Sequence, residues 1–193
     1  MADRLQQRIG NYRLIRFLGK GGYAEVYLGE HVHLKTHAAI KVLQARLGKA
    51  DIEGFLLEAR TVASLEHPNI VRVLDCDVED STPFLVMNYA PNGSLRQRHA
   101  RGIPLAPTVV LSYVKQVASA LQYGHDQKLI HCDVKPHNML LGPNDEVLLS
   151  DFGLVSIDQS TLPRSHKIPQ ALLFIWHLSN FEGGRVWRVI NMP

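Results

Sequence analysis

His131-Cys132-Asp133-Val134-Lys135-Pro136-His137-Asn138, followed a short way on by Asp151-Phe152-Gly153, decides how this sequence is read. The first run sets a carboxylate, an ammonium and an amide (Asp133, Lys135, Asn138) within six residues. An aspartate so placed can orient an attacking hydroxyl and accept its proton. The asparagine can ligate a metal, and the lysine can meet a transferring phosphoryl group. Asp151 offers a second carboxylate for magnesium. The bland alternative, two polar loops without chemistry, is disfavoured by the order and separation of the two motifs. Between them, apolar runs at 138–141 and 147–150 flank Gly142-Pro143-Asn144-Asp145, which predicts a hairpin.

Upstream of the hairpin, Val110, Val114, Val117, Ala118 and Leu121 recur at helical steps, so the spacing predicts a helix over 108–127 with these on one face. Pro91-Asn92-Gly93 marks a turn, and strands are expected at 70–74 and 84–89. Ile52, Phe55, Leu56, Ala59, Val62 and Leu65 predict an amphipathic helix over 50–65, stopped at His67-Pro68-Asn69 because proline cannot continue the ladder. Before it lie strand candidates at 12–17, 26–28 and 38–43. The order is strand-rich with one helix, then helix-rich, which predicts an α+β fold of two lobes.

The first two strands are joined by Gly19-Lys20-Gly21-Gly22-Tyr23-Ala24-Glu25-Val26. Glycines there let backbone N–H groups approach phosphate oxygens without Cβ obstruction, although in isolation a tight hairpin turn is the preferred reading of the run. No Gly-Lys-Ser/Thr run opens a helix, so this is not a Walker loop. Lys41 ends the apolar run Ala38-Ala39-Ile40. A half-buried ammonium needs a partner, and Glu58, among the apolar positions of the following helix, is the expected one; a snorkelling lysine is the competing reading.

Taken together, these motifs resemble the eukaryotic-like protein kinases, most closely their bacterial Ser/Thr branch, over residues 10–160. The resemblance implies a bilobal fold with a complete strand-rich first lobe (1–90) and a partial helical second lobe (91–162). It implies an ATP-dependent protein serine/threonine kinase, with Asp133 as catalytic aspartate and Lys135 contacting the transferred phosphate. Asn138 and Asp151 become the Mg2+ ligands. Gly19, Lys20, Gly21 and Gly22 cover the phosphates, Lys41 holds them and pairs with Glu58, and Val26, Ala39 and Leu140 sandwich the base. Met87 stands at the back of the adenine pocket, with Tyr89 and Ala90 in the hinge. The expected partner is a protein bearing a Ser or Thr acceptor. Ala24 stands where the family commonly has a third glycine, and Cys132 where an arginine usually receives a phosphorylated loop residue. Activity independent of loop phosphorylation follows from the second departure, and Cys132 itself is expected to be a buried structural thiol.

Composition agrees with a globular chain of 193 residues, 46% hydrophobic and 20% charged, which is ordinary for a packed core. A net charge of +3 with scattered cations argues against a nucleic-acid binder. Two distant cysteines, Cys76 and Cys132, argue against a disulfide scaffold and for a reducing, cytoplasmic setting. Residues 1–10 lack the apolar core of a signal peptide, and the run 171–176 is too short to span a bilayer. His31, His33 and His37 cluster without a completing cysteine or carboxylate, so they are read as loop histidines rather than metal ligands.

Past Gly153 the expected Ala-Pro-Glu motif is missing, and the chain instead reads Ile168-Pro169-Gln170-Ala171-Leu172-Leu173-Phe174-Ile175-Trp176-His177. Shifting the reading by one base allows codons for Gly-Thr-Pro-Leu-Tyr-Met-Ala-Pro-Glu-Gln across 170–179, with the alanine forced by the Trp176-His177 junction. A one-base deletion near 160–167 is therefore expected, leaving 163–193 as an out-of-frame tail not selected to pack. Such a truncation would leave the 108–127 helix with an uncovered apolar face and catalytic competence in doubt, so the alternative function is an ATP-binding fragment or pseudokinase-like module.

Overall fold

The computed structural model describes residues 4–21, 24–44 and 49–152. The expectations for Gly22, Gly153 and the 163–193 tail fall outside them. Strand-forming sequence at the start builds β1 (Arg8–Ile9), β2 (Tyr12–Lys20), β3 (Ala24–His31) and β4 (His37–Leu43). Helix α1 (Lys49–Ala63) follows, then β5 (Val73–Glu79) and β6 (Thr82–Asn88). The rest is α2 (Leu95–Arg98), α3 (Pro107–Asp126) and the hairpin β7 (Met139–Leu141) and β8 (Val147–Leu149).

The first six strands form one antiparallel sheet in the order β1-β2-β3-β4-β6-β5. Alternation along β3 and β4 buries Tyr27, Ile40 and Val42 with Leu14, Phe84 and Val86 in one apolar cluster. Packing there is close enough to require glycine at one crossing. A Cβ on Gly29 would stand 2.7 Å from Cγ1 of Ile40 and 3.1 Å from Cβ of Tyr12. Helix α1 buries Phe55 and Ala59, one turn apart. Past its end, the turn at 67–69 is braced by His67, whose Nδ1 accepts the N–H of Asn69 at 3.1 Å.

A second cluster joins this lobe to the helical one: Leu65 and Ile70 pack with Ala120, Leu129, Leu149 and Phe152. Asn69 pins the same junction. Its Nδ2 donates to Val147 O at 2.8 Å and Gln116 Oε1 at 3.0 Å, and its carbonyl accepts from Leu149 N at 2.8 Å. A third cluster, Leu95, Val117, Leu141 and Val147, holds α2 and α3 to the hairpin. Helix α3 opens on Pro107, where the missing N–H is no loss. Ser94 caps α2 in a reciprocal box with Gln97, a device the Ser-x-x-Gln spacing could have disclosed.

Two elements differ from the sequence expectation. The strand placed at 70–74 begins at Val73 and runs on to Glu79. Ile70 instead makes a parallel bridge to Leu149, and Val71 donates to Leu149 O at 3.0 Å, so these apolar residues serve the lobe junction. Strand β5 is a sheet edge, and its composition is that of an edge: Asp75, Asp77 and Glu79 are exposed. There Asp75 Oδ1 accepts the N–H of Cys76 at 2.8 Å, and Asp77 Oδ1 that of Val78 at 2.7 Å.

The apolar stripe of α3 divides in two. Val117, Ala120 and Gly124 turn inward, with Leu121 partly buried beside them, whereas Val109, Val110, Leu111, Val114 and Ala118 are exposed. The expected single face was too wide, although exposed apolar surface on this helix agrees with the expectation of an uncovered side. Among the described residues, no helix is long and apolar enough to cross a membrane.

Candidate active site

The loop after α3 folds around one histidine. His131 is buried, its Nε2 lies 2.8 Å from Ser150 O, and its ring stands edge-on to Phe152 with centroids 4.7 Å apart. Its Nδ1 accepts the N–H of Asp133 at 3.3 Å, so the network assigns the proton to Nε2. The histidine thereby ties the run containing Asp133 to the segment entering Asp151. Sequence reasoning had quoted His131 without giving it this task.

On this frame the predicted groups converge. Asn138 is buried and donates through Nδ2 to both Asp133 O and Asp133 Oδ2, each at 2.9 Å. Its backbone carbonyl accepts from Ser150 N at 2.8 Å, leaving the side-chain Oδ1 apart. Lys135 Nζ stands 2.7 Å from Asp133 Oδ2. Asp133 and Lys135 are 39% and 47% exposed, so the pair faces solvent, where a substrate could reach it. Cys132 and Asp151 both adopt left-handed backbone, with φ of 59° and 63°. Such conformations cost of order 1–3 kcal/mol and persist only where the surroundings hold them.

Asp151 makes its ion pair with Lys41, Nζ to Oδ1 at 2.5 Å. Burial pushes this carboxyl up, while the Lys41 charge and hydrogen bond, His131 and Lys135 pull it down, and the balance falls below the usual aspartate range. With 37% of its side chain accessible, it remains open to solvent as a carboxylate. Strand β4 delivers Lys41 by pairing it with Val26 on one side and Leu85 on the other.

The expected Lys41–Glu58 pair is not formed: Lys41 is committed to Asp151, and no ion pair among the described residues includes Glu58. Without a cation beside it, desolvation raises the Glu58 carboxyl to about 7. Spacing placed Glu58 on the buried side of α1 but could not give the rotation that sets which carboxylate reaches the lysine.

The remaining candidates sit on β2, β3, β4 and β7 and at the end of β6. Gly19 pairs with Val26 across β2 and β3 and has open space above it, Lys20 bridges Glu25 at 3.4 Å, and Gly21 donates to Ala24 O at 2.8 Å. Ala39 is buried and pairs with Met87, while Leu140 bridges Ser94. Tyr89 and the buried Ala90 follow β6 directly. The Tyr89 hydroxyl accepts a hydrogen bond from Nη2 of Arg16, a β2 residue that sequence reasoning passed over because nothing in its neighbourhood marks it.

Cys132 is exposed, which corrects the expectation of a buried thiol; its left-handed backbone turns it away from the packed side of the loop. His31 serves its own loop, with Nδ1 accepting from His33 N and Leu34 N at 3.2 and 3.1 Å and its ring edge-on to Tyr12.

Asn138 and Asp151 are hard oxygen donors, and Asn138 spends its amide N–H on Asp133, which leaves its carbonyl oxygen for a cation. Among the described residues no group of three His, Cys, Asp or Glu forms a complete cage. That donor set suits magnesium, which commonly takes one or two protein oxygens and completes its shell with water and substrate phosphates.

Residues 12–168 match the protein kinase domain family. The chain is 35% identical over 154 residues to the serine/threonine-protein kinase PrkC of Bacillus subtilis, covering 79% of this chain and 24% of that protein. It is 38% identical over 165 residues to the serine/threonine-protein kinase Pkn1 of Myxococcus xanthus, covering 82% and 24%. The chain thus spans about a quarter of the length of these relatives. Its fold is similar to the crystal structure of the Mycobacterium tuberculosis PknI kinase domain, with a TM-score of 0.70 and 32% identity over 81% of this chain and 64% of the other.

Proposed function

The chain belongs to the protein kinase domain family, and on that premise we propose that it carries the nucleotide site and transfer machinery of a serine/threonine kinase. The reaction is passage of the γ-phosphoryl group of ATP to a Ser or Thr hydroxyl of a protein. The observation that carries this reading is two sets of side chains, each tied in place. Asp133, Lys135 and Asn138 are locked together on one loop, and Asp151 is tied to Lys41 from the opposite lobe.

In this reading the acceptor oxygen attacks the γ-phosphorus, the bond to the β–γ bridging oxygen breaks, and ADP departs. Asp133 orients the hydroxyl and takes its proton; the Asn138 bonds fix the carboxylate for that task. Lys135 turns from Asp133 towards the transferring group, and Lys41 towards the other phosphates. Asn138 and Asp151 would hold magnesium, which supplies neutralisation of charge on the phosphate oxygens. Val26, Ala39, Met87 and Leu140 give the base an apolar slot, with the backbone at Tyr89 and Ala90 along its edge.

Two measurements on the full chain test the proposal. ATP with magnesium is expected to raise the unfolding midpoint, by about 2.7 kcal/mol of stabilisation at a hundredfold excess over Kd. Phosphate transfer to a generic Ser/Thr substrate should fall by about 10²–10⁴ in Asp133→Asn while that stabilisation persists. Stabilisation without transfer would leave a nucleotide-binding module, and the absence of both would end the reading.

A further inference from the structure

Arg16 and Tyr89 meet although three sheet steps separate their strands. From β2 the sheet runs through β3 and β4 to β6, and Tyr89 is the first residue past β6. In a flat sheet those steps amount to about 14 Å, so the arginine and the tyrosine must reach towards each other to meet. That the sheet curls to bring these ends together is shown by a second contact, in which Gly10 N, at the β1–β2 turn, donates to Glu79 Oε2 of β5 at 3.0 Å. Val26, Ala39 and Met87 lie on the strands so enclosed.

Two features show that the arginine is aimed rather than draped. The β2–β3 register slips between Leu14 and Arg16 and again between Phe17 and Gly19, so bulges bracket Arg16 on both sides. Bulges redirect the side chains they flank and increase local twist. The guanidinium carbon lies 5.8 Å from the Tyr89 ring centroid, near the outer limit for attraction to the ring face, whereas Nη2 donates directly to the hydroxyl. The hydroxyl is thus the working part of Tyr89. The second of these bulges stands between Arg16 and Gly19, so whatever holds Arg16 also fixes where the glycine run starts.

We propose that Arg16 and Tyr89 form a latch across the outer edge of the nucleotide cleft, with Arg16 a positioning residue that governs how fast ATP enters and ADP leaves. This rests on the nucleotide site proposed above. A latch acts on passage and therefore slows entry and exit together. A residue that merely touched bound nucleotide would change dissociation without changing association.

The test is stopped-flow association and chase of an N-methylanthraniloyl-labelled ADP on the full chain, in the wild type, Arg16→Ala, Arg16→Lys, Tyr89→Phe and the Arg16→Ala/Tyr89→Phe double variant. Losing one such exposed, charge-assisted hydrogen bond is expected to raise both rate constants by about threefold to tenfold. The double variant should be no faster than the faster single one, since both remove the same contact. Arg16→Lys should recover part of the slow exchange, and unfolding midpoints without nucleotide should stay level across the set. Wild-type binding with unchanged rates in Tyr89→Phe, or effects that multiply in the double variant, overturns the latch alone. A wild-type chain that binds no labelled ADP overturns the latch and the nucleotide site together.

Discussion

Replacing Glu58 by glutamine removes a carboxyl that the fold keeps short of both water and cations. Its folded value of about 7 stands above the ordinary 4.5, and desolvation is the cause. Between those values the folded state binds a proton that the unfolded state has released, so stability must decline as pH rises through that window. Below it both states are protonated at this site; above it both are ionised and the full cost is present. At about 1.4 kcal/mol per pKa unit, the cost approaches about 3 kcal/mol near neutral pH. Urea denaturation of wild type and Glu58→Gln at intervals from pH 4.5 to 8 reads this out. Other carboxylates contribute equally to both proteins, so the difference between the curves isolates Glu58. The variant is expected to be the more stable above pH 7, by up to about 3 kcal/mol, with the gap closing towards pH 4.5. A constant difference across the range, or a wild type more stable at pH 8, would refute the argument, because either requires a paired, ionised Glu58.

Gly124→Ala places a methyl 2.7 Å from Cε1 of Phe152, whose ring is confined by His131 and the junction cluster. Overpacking of about 1–3 kcal/mol should outweigh the helix-propensity gain of up to about 1 kcal/mol, giving a net loss in thermal or urea unfolding. Asn69→Ala removes the two donors that reach Val147 and Gln116 and should cost about 1–3 kcal/mol by the same measurement. Restoring the amide with glutamine should not recover it, because the longer side chain cannot sit in that corner.

Much of the site could be read from residue order because its chemistry is local. Asp133, Lys135 and Asn138 lie on one loop, and the hairpin that follows fixes their distance from Asp151, so spacing carries geometry. Contacts made between lobes were harder. That Lys41 meets Asp151 rather than Glu58 depends on how α1 is rotated against the sheet, and no periodicity encodes that. Helix α3 shows the same limit: its apolar positions are wide enough to cover more than one face, and only packing reveals that Val117 faces in while Val114 faces out. Spacing places strand β5 too early, at 70–74 instead of Val73–Glu79, because an edge strand carries acids where a buried one carries valines. Arg16 left no signal at all, since a single arginine on a polar strand reads as a solvated side chain.

The acids of β5 have a use beyond solubility. A peptide seeking to extend the sheet at that border would need the outward amide hydrogens of Cys76 and Val78. Each is already satisfied by the aspartate just before it. An incoming strand would have to displace those bonds and lie against the acidic row of Asp75, Asp77 and Glu79, the last of them held by Gly10 N at 3.0 Å. The border thus refuses recruitment of a seventh strand, and the sheet ends there by its own side-chain chemistry without needing a covering element.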